Sequence, residues 1–416
     1  MRCQFKHLGW ACHHGRMTPP EIGTARRWSM LALGVAATMC ANVFIYGAAF
    51  LIPTLHAERG LDLALAGLMA SMPSFGMVVT LIAWGYVVDR VGERFVLTVG
   101  SALTAAAAFA AAAVDSLPAV GALLFLGGMA AAGSNSASGR LVVGWFAPQQ
   151  RGLVMGIRQA SIPLGVGLGA LVIPRVAQDH GVAAALLFPA IVCAAAAVLC
   201  LVGVLDPPRP PRAEAAAEVL ANPYRGGAVL WRIHAVSVLL VVPQAVVWTF
   251  TLVWLMSERG WSAAPAGALV TLAQVLGAGG RIGAGYLSDR VGDRLRPIRW
   301  IACAAAAVMA LVALTDALES PLSVALMVVA SVITVSDNGL AFTAIAEIAG
   351  PFWSGRALGA QNTSQHLASA ASAPVFGGLI GVFGYPVSFA LLAVLPLFAL
   401  PLVPVGPDTE EVHHRT

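Results

Sequence analysis

The sequence predicts an all-α polytopic membrane protein with twelve transmembrane helices in two pseudo-symmetric six-helix bundles. Three observations carry that expectation. Of 416 residues, 58% are hydrophobic and only 11% are charged, with a mean hydropathy of +0.81; a soluble domain carries about 25% charge. Apolar runs recur from Leu31 to Val405, each roughly 18–25 residues long, enough to cross a ~30 Å hydrocarbon core as a helix. Finally, the charged turn "GYVVDRVGER" (Gly85 to Arg94) returns 200 positions later as "GYLSDRVGDR" (Gly285 to Arg294), with seven of ten letters identical. Because lipid offers the backbone no hydrogen-bond partners, the runs are helices and not strands.

Taken in order, residues 1–27 carry Arg2, Lys6, Arg16, Arg26 and Arg27 without an apolar core and read as a basic cytoplasmic tail. Met17 is an alternative start, since "MTPPEIGTARRW" makes a compact tail by itself. Cys3 and Cys12 share this tail with His7, His13 and His14, but their spacing fits no zinc pattern, so no metal is expected. The first bundle is expected over 28–205, with spans near 31–55, 64–88, 95–114, 119–146, 153–176 and 182–205. Residues 206–232 are rich in proline, alanine and charge and form the central cytoplasmic linker, with a short surface helix over Ala213 to Leu220. The second bundle is expected over 233–405, with spans near 233–256, 263–287, 298–315, 322–346, 357–381 and 387–405; a cytoplasmic tail follows at 406–416. Cys40, Cys193, Cys200 and Cys303 lie within spans and read as small packing residues.

Arginine placement orients the spans. With the chain starting inside, eighteen of the 24 Lys and Arg fall in inner loops and tails, and only Arg59, Arg175 and Arg259 at outer ends. That bias predicts cytoplasmic N and C termini in a bacterial-type inner membrane.

The repeated turn falls in the second inner loop of each half and is not alone. "AERGLDLALAG" at 57–67 matches "SERGWSAAPAG" at 257–267 with the same offset. At an offset of 203, Ser134 and Asn135 face Asp337 and Asn338, and Gly152 and Gly156 face Gly355 and Gly359. Two halves with one ancestral pattern predict a substrate site between them, near mid-membrane.

The doubled motif G-x-x-x-D-R-x-G-[RED]-R in a twelve-span, two-half layout resembles the major facilitator superfamily of secondary transporters, from about Trp28 to Val405. The resemblance implies alternating access by a monomer. It also implies that the motif favours the outward-open state. The residues suit a gate: Gly85 and Gly285 allow close helix approach, and Gly92 and Gly292 a tight turn. Asp89 and Asp289 are placed to meet a helix N-terminus in the opposite half. Arg90, Arg94, Arg290 and Arg294 add pairs to carboxylates and carbonyls. An inner loop that is positive only for topology needs Arg, but not Asp and Gly in fixed register.

A charge within a span costs about 2.5–3.5 kcal/mol on insertion scales, so each asks for a reason. Arg140, Arg158 and Arg281 lie in spans four, five and eight, against the single carboxylate Asp337 in span ten. This excess calls for an anionic partner, and Arg offers a planar fork for a carboxylate. "GRIGAGYLSDR" resembles the span-eight region of monocarboxylate transporters and oxalate–formate exchangers, which implies that Arg281 engages a substrate carboxylate. "MGIRQASIPLG" with "RALGAQNTSQHLAS" resembles cyanate-permease-type facilitators. The competing reading has Arg140 and Arg158 snorkelling to the inner surface.

Neutral candidates for the same cavity are Asn42, Tyr46, Gln159, Gln244, Trp248, Asn338, Gln361, Asn362 and Gln365, with helix-to-helix hydrogen bonding as the alternative. His366 titrates near neutrality and, with Asp337, is a proton-coupling candidate; a packing histidine is the competing reading. Drug antiporters of the superfamily carry a glycine-proline signature in span five, whereas Ala170 follows Gly169 here.

The expected function is therefore secondary transport of a small, carboxylate-like organic anion, with a proton as coupling ion. The alternatives are a proton-driven exporter of amphipathic compounds, needing a cavity carboxylate such as Asp337, and a transporter-derived sensor without flux. No metal-spaced His/Glu cluster, nucleophile-base pair or phosphate-binding loop occurs, so an enzyme or ATP-driven pump is not expected, nor a cofactor or nucleic-acid partner.

Overall fold

Glycine and proline punctuate an apolar chain, and they set where its helices stop. The computed structural model describes residues 11–13, 16–18, 23–51, 63–208, 220–225 and 227–404. The first half comprises α1 (Thr24–Gly47, closed by a 3-10 turn at Ala48–Leu51), α2 (Leu63–Val91), α3 (Glu93–Ala112), α4 (Leu117–Ala131), α5 (Gly133–Trp145), α6 (Pro148–Gln159) and α7 (Ser161–Gly203). The second half comprises α8 (Val229–Ser257), α9 (Ala263–Val291), α10 (Leu295–Ala317), α11 (Leu322–Ile333), α12 (Asn338–Ala349) and α13 (Ser354–Ala399). Before α1, an antiparallel ribbon pairs Ala11–His13 with Arg16–Thr18.

Nine helices among the described residues are long and apolar enough to cross a membrane, and two of these are far too long for one crossing: Pro148–Gly203 with 56 residues and Ser354–Leu402 with 49. Each turns at a glycine in a left-handed conformation, Gly181 (φ 81°) and Gly384 (φ 76°). The twelve expected spans are reached when both long segments are read as two crossings and the 29-residue α9 is added; α9 is less apolar because it carries Gln274, Arg281 and several glycines. The structure is the all-α polytopic membrane architecture that the sequence predicted.

Three spans expected as continuous helices are interrupted. Span four breaks at Ala132, span five at Ala160 and span ten over residues 334–337. A pattern of apolar residues does not register a break of one to four residues. Helix α1 also begins at Thr24, so Arg26 and Arg27 lie on its first turn. Of the proposed surface helix over Ala213 to Leu220, only Leu220 is among the described residues. Cys3, His7, His14 and the tail 406–416 lie outside them.

The outer surface of the bundles is apolar, with Val202 and Val382 more than 70% exposed. Burial inside is split among four clusters. One of them packs Val88, Leu141, Val154 and Met155 of the first half against Phe342, Ala346 and Leu358 of the second. This shared cluster lies beside the repeated charged turns, on what is called the motif face below.

Candidate functional site

At the motif face the bundles meet through glycine. A side chain on Gly85 would overlap the main-chain oxygen of Gly355, and one on Gly285 that of Gly152. One turn deeper the pattern repeats: a Cβ on Gly359 would lie 2.6 Å from the oxygen of Leu81, and one on Gly156 2.6 Å from that of Arg281. The glycines paired at an offset of 203 in the sequence therefore dock on the motif helices of the opposite half. Gly92 (φ 113°) and Gly292 (φ 70°) make the turns that end α2 and α9.

Each motif aspartate then reaches the same neighbouring helix. Asp89 Oδ1 accepts the N–H of Gly355 at 2.8 Å, and its Oδ2 accepts the N–H of Arg356 at 3.0 Å. Those amides open α13 and have no partner within the helix, so they favour an anion. Asp289 accepts the N–H groups of Gly152 (3.0 Å) and Leu153 (2.8 Å), early in α6.

The cations around the two carboxylates differ. Asp89 receives Arg140 at 2.5 Å and Arg356 Nε at 2.9 Å. Arg140 also reaches Glu93 at 3.0 Å and the carbonyl of Pro351 at 2.8 Å. Asp289 pairs with Arg294, which also donates to the carbonyl of Pro148 in the opposite bundle. Glu347 bridges Arg294 (3.4 Å) and Arg151 (3.3 Å), so one carboxylate joins arginines from both bundles. The Arg94 side chain turns away to the carbonyl of Leu201 and its backbone N–H donates to Asp206, while Arg90 and Arg290 lie over Tyr86 and Tyr286.

Arg140 was named from the sequence as a substrate ligand. In the structure it pairs with Asp89 and Glu93 at the motif face, because α5 carries it there.

One turn deeper, Arg281 and Arg158 come together. Arg281, 2% exposed, donates to the carbonyls of Gln159 (3.1 Å) and Val335 (3.4 Å) and lies over the Trp248 ring at 5.6 Å. Arg158, 1% exposed, donates to Gln159 Oε1 (2.5 Å) and Ser138 Oγ (3.2 Å), contacts Met155 Sδ and lies over the Phe342 ring at 5.4 Å. Arg158, Tyr46 and Asp337 are all within electrostatic reach of Arg281. Among the described residues none of Arg158, Arg281 and Asp337 forms an ion pair within 4 Å. The two guanidinium groups are held by neutral acceptors alone.

The neutral candidates separate into groups. Gln365 donates to Asn338 (2.9 Å), and Asn338 donates to Gln244 (2.8 Å), making a buried amide chain beside Asp337. The Asn42 amide nitrogen is buried without a partner, where α1 packs closely against Gly165. Asn362 donates to Leu358 of its own helix. His366 takes no part in the amide chain.

A family model described as the Major Facilitator Superfamily matches residues 32–373. The chain belongs to the Major Facilitator Superfamily. It is also 57% identical over 389 residues to the uncharacterized MFS-type transporter Rv2994 of Mycobacterium tuberculosis, covering 94% of this chain and 87% of that one. Two solved structures share the fold at low identity. The proton:xylose symporter XylE bound to 6-bromo-6-deoxy-D-glucose has a TM-score of 0.75 at 15% identity, covering 92% of this chain and 97% of that chain. The human organic anion transporter MFSD10 (TETRAN) has a TM-score of 0.69 at 17% identity, covering 91% and 99%. This protein is thus a multi-pass membrane transporter of the superfamily.

Within this MFS transporter, several contributors escaped the sequence reading. Arg356, Glu347 and Arg151 complete the charge clusters at the motif face, yet each reads as an ordinary loop charge, while Glu93 is the variable acidic position of the motif. His234, a lone histidine in span seven, was also passed over. Its Nδ1 faces Gln361 Oε1 at 2.6 Å, and its Nε2 faces the Tyr224 hydroxyl at 2.9 Å. Burial pushes the Tyr224 hydroxyl up to about 12. Tyr224 of the linker is thereby tied to the second bundle, as is Leu220, whose carbonyl accepts the indole N–H of Trp353.

Proposed function

We propose that this transporter carries a small, carboxylate-like organic anion by alternating access, with a proton as coupling ion. One observation carries the reading: Arg158 and Arg281 are buried between the bundles without a carboxylate partner among the described residues, against one buried Asp337. A single carboxylate bound by both forks would supply the missing charge. Tyr46, Asn42, Gln159 and the Gln244–Asn338 amides supply polar neighbours, with Gln361 and Asn362 behind them. Asp337 is the proton-coupling candidate, and His366 is retained as the second.

The motif loops act as the gate in this reading. Gly85, Asp89, Arg90, Gly92 and Arg94, with Gly285, Asp289, Arg290, Gly292 and Arg294, line the face taken as cytoplasmic from the arginine bias, with both termini on that side of an inner membrane. Residues 28–205 and 233–405 move as rigid bundles about the linker 206–232, in a monomer. Contacts of Asp89 and Asp289 with the opposite bundle exist only while this face is closed, so they favour the outward-open state.

The test is thermal stabilisation of the purified protein by acetate, lactate, oxalate, choline and lipophilic amines. A ligand of the folded state raises the melting temperature by mass action. Stabilisation by an acid, lost in Arg281→Gln, supports the anion reading. Stabilisation by amines alone would replace it with the exporter reading, which rests on the buried carboxylate of Asp337, without an ion pair within 4 Å among the described residues.

A further inference from the structure

The acceptor that Arg281 uses across the interface has an unusual origin. In an α-helix the carbonyl of Gln159 would receive the N–H of residue 163, but residue 163 is proline and has none. The helix also tightens there: Ala160, between α6 and α7, keeps helical dihedrals but donates its N–H to Ile157, three residues back. The Gln159 carbonyl is turned to the opposite bundle, where Arg281 donates to it at 3.1 Å. The same residue's side chain takes Arg158, so Gln159 holds both arginines.

The repeat shows that this is not a general feature of the fold. Position 81, equivalent to Arg281 at the 200-residue offset, is leucine. The carbonyl of Leu81 faces Gly359 just as that of Arg281 faces Gly156. Only the second-half copy of this glycine contact therefore carries a guanidinium that crosses the interface.

We propose that Arg281 is a latch as well as a ligand, holding the empty site closed through the Gln159 carbonyl that Pro163 cannot cap, until a carboxylate displaces it. This rests on the anion reading above only for the displacing ligand. Opening the motif face separates α6 from α9 and carries Gln159 away. In an empty site Arg281 would then exchange its acceptor across the interface for water, which opposes opening by the net worth of that hydrogen bond. A carboxylate accepts two of its N–H groups and travels with it, so the ligand binds the opening state better than the latched one. That differential affinity is what a ligand needs to move a conformational equilibrium. Pro163 is a positioning residue in this scheme: it never touches the ligand.

The experiment uses the full chain in lipid nanodiscs, cysteine-free, with spin labels replacing the exposed Gln149 and Arg299 on opposite bundles. Pro163→Ala restores an N–H for Gln159 and weakens the latch. Without ligand, its long-distance population at the motif face rises about three- to fivefold, and its affinity for whichever of acetate, lactate or oxalate binds rises by no more than the same factor. An unchanged population and unchanged affinity overturn the latch. Should Pro163→Ala fail to fold, the parent protein decides: an acid that binds must increase the long-distance population, and binding without a shift overturns the proposal. If none of the acids binds the parent while Pro163→Ala still opens the empty protein, the anion reading fails and the latch stands.

Discussion

Asp89 Oδ1 lies 2.8 Å from the amide nitrogen of Gly355, a residue of the opposite bundle on the first turn of α13. The same carboxylate holds Arg140 and Arg356, so one acidic side chain gathers a helix terminus and two cations. Its pseudo-symmetric counterpart Asp289 accepts two amides in the second turn of α6 and pairs with Arg294.

Asp89→Asn keeps the size and removes the charge. A helix-terminus interaction contributes about 0.3–1 kcal/mol, up to ~2 when partly buried. The expected result is a shift of about three- to tenfold towards motif-face opening, read by pulsed distance measurement between the bundles. An unchanged distance distribution would remove the gate from the account.

Arg140→Gln separates the gate from the ligand site. It leaves Asp89 and Glu93 buried with fewer cations, and breaking one partner of a buried pair costs about 3–5 kcal/mol. A fall in melting temperature is expected, with carboxylate affinity within about twofold of the parent after correction for conformer balance. A selective loss of acid binding would return Arg140 to the substrate site.

Gly285→Ala tests the close approach directly. The added Cβ overlaps the Gly152 carbonyl, and backbone cannot move aside as a side chain can. Overpacking of this kind costs about 1–3 kcal/mol. Here the strain falls on the closed form alone, so accessibility of the motif face to a membrane-impermeant reagent should increase. Gly283→Ala, which meets nothing within 4 Å, is the control.

Arg158→Gln should weaken acid-induced stabilisation at least tenfold, because a charge-assisted bond to a carboxylate is about twice as strong as a neutral one. Binding calorimetry checks this, and equal affinity in variant and parent would leave Arg281 as the only ligand arginine.

Tyr224→Phe removes the hydroxyl that bonds His234 and is expected to lower stability by about 1 kcal/mol. Chemical denaturation of the detergent-solubilised protein provides the measurement. No change would show that the linker contact is incidental.

The sequence by itself determined the class of fold, because lipid imposes helices of a minimum length and the apolar runs meet it. It also determined the two-half plan, since the motif turns are written twice in register, and it singled out Arg158, Arg281 and Asp337 by the cost of burying charge. What only the tertiary structure decided was partnership. Arg140 and Arg158 are both arginines inside apolar spans, yet one meets Asp89 and Glu93 and the other meets Ser138 and Gln159. His234 and Arg356 left little local signal, because their importance lies in Gln361 and Asp89, 127 and 267 positions away. The helix breaks at Ala160 and before Asn338 were hidden for a related reason. Hydrophobic periodicity reports which residues face lipid, whereas a freed carbonyl such as that of Gln159 acquires its role only when another bundle brings a donor to it.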